Sequence, residues 1–251
     1  MKLPLLKYFS VIILFLIITS NIQGQTFGFG CLGLSGFYAG ISQESYDASG
    51  INNFLYPIVA HQLNVSNQSS SPVKFEKGTG YRIGANLFRA KFNKVFVTAK
   101  GYYQFLKEEH SAKELISGSN NTTNHSLSLN HWGVGVDFGV NLFWILDWKV
   151  LEGNVTFFSA DFTTEYLKDN VFVTDEKYNL DKTQIGYFVG SGLILHLVPD
   201  YLSLEGTVGF SFIKIESLKR VDSLGNLTYI NNAVPSGGLN ATIQLNVGFP
   251  L

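Results

Sequence analysis

The 251-residue chain has 19 acidic residues and 18 Lys or Arg residues, and this near balance gives no support to a nucleic-acid partner. Its single cysteine excludes an intramolecular disulfide framework and a cysteine-rich metal site. Charged residues make up 15% of the chain, against about 25% in ordinary soluble domains, while glycine and aromatic residues are frequent. The composition therefore indicates tightly packed β-structure, and the shortage of charge is expected if its outer wall faces lipid.

Residues 1–25 have the features of a secretory signal peptide. Lys2 and Lys7 precede an apolar segment, residues 11–18, that is too short for a spanning helix. We expect cleavage near Gly24 or Gln25, and no later segment supplies the roughly 20 apolar residues of a membrane helix. Residues 26–251 then have the length of one all-β domain.

Alternating apolar residues predict strands along this domain, and the alternation is most regular in residues 132–142. One face there is apolar, and the other carries Gly133, Gly135, Asp137, Gly139 and Asn141. A small, nearly uncharged face suits the crowded interior of a narrow barrel in lipid. The predicted strands, in chain order, lie within 27–41, 81–87, 95–105, 132–142, 151–157, 185–197, 202–212 and 239–249.

The connections between these strands alternate between long and short. Short turns are predicted at residues 91–94, 143–148 and 199–200, and long polar loops at residues 43–78, 107–126, 161–182 and 217–238. Within the third loop, residues 171–173 are expected to extend a hairpin above the membrane. Short periplasmic turns and long extracellular loops are typical of outer-membrane barrels, which in bacteria have even strand numbers.

The prediction is an all-β fold, an eight-stranded antiparallel up-and-down transmembrane β-barrel with short periplasmic turns and long extracellular loops. The first loop is long enough to hide a hairpin, which leaves a ten-stranded barrel open, and a soluble barrel or sandwich is the competing fold. Trp144, Trp148 and Tyr201 are at the short turns, where an interfacial aromatic girdle belongs.

The signal peptide, the alternating strands and the chain end at residues 239–249 resemble the small outer-membrane β-barrels of Gram-negative bacteria. OmpA- and OmpX-type barrels and PorT-like β-barrel proteins are the families that the pattern resembles. The resemblance implies a monomer surrounded by outer-membrane lipid and assembled by the barrel-assembly machinery. In that class the last strand usually ends in an aromatic residue that the machinery recognises; Phe249 is in phase for this role, although Pro250 and Leu251 follow it.

Five charged residues have the parity of the barrel interior: Arg82, Lys100, Asp137, Glu152 and Glu205. Isolated charges in a narrow, poorly hydrated interior are costly, so we expect them to pair. An eight-stranded barrel is just wide enough for its side chains to fill it. We therefore predict an ion-pair network that plugs the lumen rather than a general diffusion pore.

Catalysis at the loop end of a barrel would require a constellation such as a serine, a histidine and an acid. One rim carries the candidates His125, Ser126, Ser128 and His131, and nearby Glu108, Glu109 and His110. No spacing among them is diagnostic of a hydrolase or of a metal site. We expect no catalytic residue, no metal and no cofactor.

The expected function is a structural role, surface interaction or adhesion, or service as an accessory subunit of an envelope complex. An extracellular or envelope protein partner would bind through the four long loops. In the first loop Phe54, Leu55, Tyr56 and Ile58 form an apolar patch that we expect to pack over the barrel mouth, with contact to a partner as the alternative. The alternatives are a small-solute or ion pore and, third, a lipid-modifying or hydrolytic enzyme at the rim.

Overall fold

The computed structural model describes residues 26–28, 35–56, 73–116, 119–199 and 201–248. Within these ranges one short helix, α1, spans residues 49–56, and no helix has the length and apolarity to cross a membrane. The predicted signal peptide and Phe249 lie outside the described residues. The strands are β1 (Thr26–Gly28), β2 (Gly36–Asp47), β3 (Lys77–Phe92), β4 (Val95–Ile116), β5 (Ser119–Phe143), β6 (Leu146–Lys168), β7 (Val171–Leu180), β8 (Gln184–Val198), β9 (Leu202–Phe212), β10 (Ile215–Val221), β11 (Leu227–Val234) and β12 (Ser236–Gly248).

Eight strands form a closed antiparallel ring. The order is β2, β3, β4, β5, β6, β8, β9 and β12, and β12 pairs with β2 to close the ring. The three-residue strand β1 pairs with β3 at residues 89–91, next to the short turn that follows β3. It therefore lies beside β3 beyond the end of β2, which pairs with residues 77–86. The predicted eight-stranded up-and-down barrel is confirmed. Closure leaves no ring strand with an open edge, which lipid could not satisfy.

The outer wall of the ring carries a continuous apolar belt. Its upper edge is a row of outward-facing side chains from the eight strands, exposed in seven of them and half-buried at Phe157: Ile41, Tyr81, Phe105, Trp132, Phe157, Ile185, Phe212 and Leu239. At the opposite end, Trp144, Trp148 and Tyr201 are 80%, 42% and 55% exposed, beside the short turns. Such a belt with aromatic residues at its borders is the surface of a transmembrane barrel.

Three of the four connections predicted as long loops are β-structure, and this corrects the sequence analysis. Residues 107–116 and 119–126 continue β4 and β5, residues 161–180 form the end of β6 and all of β7, and β10 and β11 fill most of residues 217–238. Their polar composition indicated loops. However, an antiparallel pair of strands that is surrounded by water can carry Ser, Thr and Asn side chains while its backbone groups hydrogen-bond to each other. The hairpin expected at residues 171–173 is confirmed; its turn residues Asp169 and Asn170 have φ of 50° and 65°, the conformation of a type I′ turn.

These strand extensions form a second structure beyond the belt, which we call the projecting sheet. It consists of residues 107–116 of β4, 119–128 of β5 and 161–168 of β6, together with β7, β10 and β11. From β6 the sheet continues through β7 and β10 to β11. The barrel therefore has short turns at one end, whereas at the other end β4, β5 and β6 extend well beyond the remaining strands of the ring.

Candidate functional site

All five predicted lumen charges lie inside the barrel, and none is more than 5% exposed. Lys100 is central, with its Nζ 2.6 Å from Glu152 Oε1 and 3.0 Å from Asp137 Oδ1. Asp137 and Glu152 are side by side because they are direct partners in the pairing of β5 with β6. Arg82 Nη1 is 4.0 Å from Glu152 Oε1 on the other side.

Lys149 is the main member of this network that the sequence analysis missed. Its ammonium contacts the carboxylates of Glu152 and Glu205, and it donates to Thr207 Oγ1 over 2.6 Å. Strict alternation would place it outside, with Leu151. A β-bulge between residues 149 and 152 shifts the phase, so that Lys149 and Glu152 both point inward although they are three residues apart. The network then has three cations and three carboxylates.

The polar network continues toward both ends of the lumen. Toward the projecting sheet, Arg82 Nε donates to Gln104 Oε1 (2.6 Å), and buried Glu44 accepts from Asn240 Nδ2 (2.7 Å). Toward the short turns, Asp147 accepts from Arg89 Nη2 (3.2 Å) and lies 2.9 Å from His196 Nε2. Buried polar groups thus fill the lumen across the whole belt. Glu44 and Asp147 were not predicted, because the first strand was assigned to earlier residues and Asp147 was assigned to a turn.

No metal is needed to neutralise the acidic side chains. Carboxylate oxygens of Asp137, Glu152 and Glu205 lie within 4.8 Å of one another, which is close enough to share an ion. The ammonium groups of Lys100 and Lys149 contact all three of these carboxylates. The arrangement has the chemistry of an ion-pair network.

An apolar core, which we call the apolar cap, lies above the polar network at the projecting-sheet end. Helix α1 contributes Ile51 and Leu55, which are 0% and 1% exposed, and the helix is tied to Phe75 by Asn52. Asn52 Nδ2 donates to Phe75 O (3.0 Å), and Phe75 N donates to Asn52 Oδ1 (2.8 Å). The other members are Tyr46, Ala48, Leu106, Leu127, Leu129, Phe158, Ala160, Phe162, Tyr178, Ile213, Ile215, Leu218, Ile230, Ala233 and Val234.

The patch predicted in the first loop divides at the end of α1. Leu55 is in the apolar cap, Phe54 packs against the cap, and Tyr56 is 73% exposed. Ile58 lies outside the described residues. The expected packing over the barrel mouth is therefore observed for Phe54 and Leu55, and not for Tyr56.

Glu108 fastens the segment that leads from the cap into β3. Its carboxylate accepts from Tyr46 Oη (2.6 Å) and from the backbone N–H of Lys77 (2.8 Å), and it is 3.0 Å from His110 Nε2.

His125, the direct partner of His110 on β5, is buried beyond the upper edge of the belt, with Nδ1 3.0 Å from Thr164 Oγ1. Burial lowers the pKa of His125 to about 4.

The residues considered for catalysis do not form one group. Along β5, His125 and His131 are buried on the inner face, whereas Ser126 and Ser128 alternate with them and belong to the outer face. Glu109 is also an outer-face residue, paired with Ser126. The inner face therefore holds histidines beside Glu108 and Thr164, without these serines.

The projecting sheet carries exposed apolar side chains well above the belt. Val171, Phe172 and Val173, at the start of β7, are 67%, 59% and 59% exposed. The β10–β11 hairpin adds Val221, Leu224, Leu227 and Tyr229, which are all at least 49% exposed. Many contact sites for other molecules have exposed apolar residues of this kind on a surface away from lipid.

The chain matches no protein-family model and no curated protein. Among solved structures, similar chains include Neisserial surface protein A, with 14% identity over 90% of this chain and 100% of that chain and a TM-score of 0.47. The attachment invasion locus protein Ail of Yersinia pestis has 11% identity over 86% and 97% and a TM-score of 0.38. A major outer membrane protein from Thermus thermophilus has 12% identity over 86% and 99% and a TM-score of 0.42. Because these values are low, the fold rests on the strand register of the chain itself.

Proposed function

We propose that this protein is a non-conducting, non-enzymatic barrel of a Gram-negative outer membrane that presents its projecting sheet to other molecules at the cell surface. The observation that carries the proposal is the double filling of the lumen, by a buried ion-pair network and by the apolar cap above it. With the lumen filled, the surfaces left for contact with other molecules are the lipid-facing belt, the short turns and the projecting sheet.

The filled lumen supports a barrier to ions and small solutes. A permeating ion would have to separate Lys100 and Lys149 from their carboxylates and then cross apolar side chains such as Phe162 and Leu127, both 0% exposed. Both steps are costly, since breaking a buried ion pair leaves an uncompensated charge and an apolar core cannot solvate an ion.

The orientation follows from the asymmetry of the barrel. Short turns belong on the periplasmic side, which places the projecting sheet and its exposed residues 171–173 outside the cell. The chain closes its ring alone, and this supports a monomer surrounded by outer-membrane lipid. Assembly by the barrel-assembly machinery through Phe249 is part of the same proposal.

Single-channel conductance of the refolded protein in a planar bilayer tests the barrier. We expect no stable channel for the wild-type protein, and none for Glu109→Ala, which changes an exposed acid outside the lumen. A reproducible conductance that changes in Lys100→Ala and Glu152→Ala would overturn the proposal and make the protein a small pore.

The surface role is tested by shortening the β6–β7 hairpin. A variant in which residues 165–174 are replaced by a tight turn leaves the ring pairings of β6 with β5 and β8 intact within the belt. We expect this variant to remain a folded barrel in the membrane, while cells that display it lose adhesion to surfaces that bind the wild type. Equal adhesion by the two proteins would contradict a contact role for this hairpin.

A further inference from the structure

The outer edge of β7 is unpaired along most of its length. On one side, β7 pairs with β6 from residue 171 to residue 179, but on the other side it pairs with β10 only at Asn179 and Leu180. Arg220 of β10 reaches back to Glu176, with Nη1 2.6 Å from Oε1. From residue 171 to residue 175, no strand among the described residues covers this edge. Alternate residues there direct their backbone N–H and C=O away from β6.

Along residues 171–174 this edge has one of the features that usually protect an edge strand, a β-bulge at Val173, and lacks the others. Natural sheets place lysine or proline on their edges or keep the edge strand very short. Residues 171–174, Val-Phe-Val-Thr, are instead all exposed and all strong strand formers. The type I′ turn at Asp169 and Asn170 holds them in an extended hairpin. The backbone groups on either side of the bulge are therefore free to pair with another strand.

The outer face beside the edge is acidic. Glu165 of β6 and Asp175 of β7 are direct cross-strand partners, and both are exposed. Like charges in this position destabilise a strand pair. Among the described residues, no Lys or Arg nitrogen lies within 4.0 Å of either carboxylate, whereas Glu176 on the inner face has Arg220. A cation brought by an incoming strand would relieve this repulsion.

We propose that residues 171–175 of β7 bind an extended segment of a partner protein in which apolar and basic residues alternate. The segment adds a strand to the projecting sheet. Its apolar side chains lie beside Val171 and its basic side chains lie on the opposite face beside Asp175 and Glu165, because a β-bulge at Val173 puts Val171 and Asp175 on opposite faces of the sheet. This inference rests on the proposed surface function and names the class of partner.

Charge and symmetry argue against a second copy as the occupant. Antiparallel pairing of two β7 edges requires a two-fold axis perpendicular to the sheet, and this axis would invert one barrel relative to the other. Parallel pairing in register would bring a second Asp175 and Glu176 to the level of this acidic site, rather than a cation that relieves the repulsion between Asp175 and Glu165. A basic extended segment meets neither obstacle.

The test uses the full barrel in lipid nanodiscs and a short, blocked, fluorescent peptide that alternates valine and lysine. We expect saturable binding by fluorescence anisotropy. A peptide of the same sequence with N-methyl groups on alternate backbone amides should bind at least about tenfold more weakly, because it cannot complete the ladder. Equal binding of the methylated peptide would overturn strand addition.

The charge is tested with Asp175→Lys. This change puts a cation opposite Glu165, so it removes a like-charge pair and does not weaken the hairpin. We expect the valine–lysine peptide to lose about tenfold in affinity and a valine–glutamate peptide to gain. Glu109→Lys, the same change on an exposed acid of β4, should leave both affinities unchanged. Equal losses in the two variants would overturn the site in favour of non-specific attraction.

Two outcomes separate this inference from the function on which it rests. If the wild-type barrel binds no valine–lysine peptide but forms dimers that Asp175→Lys changes, the occupant is a second copy and the inference is overturned. If the peptide does not bind while the shortened hairpin still abolishes adhesion and the barrel does not conduct, the proposed function stands and only the partner class is wrong.

Discussion

At the scale of single residues, buried charges in the lumen are tolerated because each is placed against opposite charges. Lys149 is fully buried and contacts Glu152 and Glu205. Among the described residues, no other Lys or Arg nitrogen lies within 4.0 Å of the Glu205 carboxylate. Removing one partner of such a group leaves a charge that neither water nor protein solvates. The stability of the barrel therefore depends on complete ion pairs.

Lys149→Met tests this dependence. We expect the free energy of unfolding to fall by about 3–5 kcal/mol, because Glu205 is left buried without its cation. Urea unfolding of the protein refolded into lipid vesicles, followed by tryptophan fluorescence, measures the change. The double variant with Glu205→Gln should recover part of the loss. Lys107→Met, which breaks an exposed pair with Glu109, should change stability by less than about 1 kcal/mol, and a loss as large as that of Lys149→Met would contradict the argument.

His125 makes the free energy of unfolding decrease as pH falls from about 6.5 to about 4. Its pKa in the folded protein is about 4, mainly because it is buried, whereas the unfolded chain has a value of about 6.5. Between these values the unfolded state binds more protons, so the contribution of His125 is fully present above pH of about 6.5 and is lost as pH falls toward 4. His125→Gln should remove this component from unfolding free energies measured across the window. Wild-type and variant curves that stay parallel would contradict the assignment.

At the scale of strands, glycines on the inner face make room for large neighbours. A Cβ atom added to Gly139 would lie 2.3 Å from Phe96 Cζ and 2.6 Å from the carbonyl oxygen of Trp148. Gly153, on the outer face of β6, has no atom within 4 Å of such a Cβ. The glycines that alternate along residues 132–142 thus serve the packing of the lumen.

Gly139→Ala and Gly153→Ala are therefore a matched pair with effects of opposite sign. The first should cost about 1–3 kcal/mol, because the phenyl ring of Phe96 or the backbone of β6 must move. The second should stabilise the barrel by about 0.4–1 kcal/mol, because it restricts the unfolded chain and meets no neighbour. Urea midpoints of the two variants measure both effects, and equal shifts would refute the role of the inner face.

A β-bulge changes the face of the strand on which the following side chains lie, and the alternation of residues in that strand does not predict the change. The alternation of residues 151–157 correctly placed Glu152 inside, but continuing it to Lys149 gives the wrong face, because the register between β5 and β6 shifts there. A similar shift in β3, between Asn86 and Phe88, turns Arg89 toward Asp147. A bulge depends on the pairing of two strands, and so the sequence of one strand does not reveal it.

At the scale of the whole molecule, the barrel combines a membrane-embedded ring with a water-soluble core above it. Within the belt, apolar residues point outward and polar ones inward, whereas in the projecting sheet the inner face becomes apolar and packs against α1. The inversion follows from the solvent, because lipid surrounds the belt and water surrounds the sheet. One chain thereby builds two cores, and the second closes the mouth of the first.

The sequence by itself determined the closed, eight-stranded, lipid-facing barrel. Period-two alternation is local, a lipid-facing wall must be apolar, and an open edge in lipid is not tolerated, so pattern and closure together leave few other folds. It also placed Arg82, Lys100, Asp137, Glu152 and Glu205 inside the lumen. The tertiary structure alone decided the rest. Long polar segments form strands because neighbouring strands supply backbone hydrogen-bond partners. Lys149 points inward because of a bulge. Helix α1 is positioned by the apolar cap, to which distant strands contribute. These features depend on contacts between residues far apart in the chain, which no local pattern records.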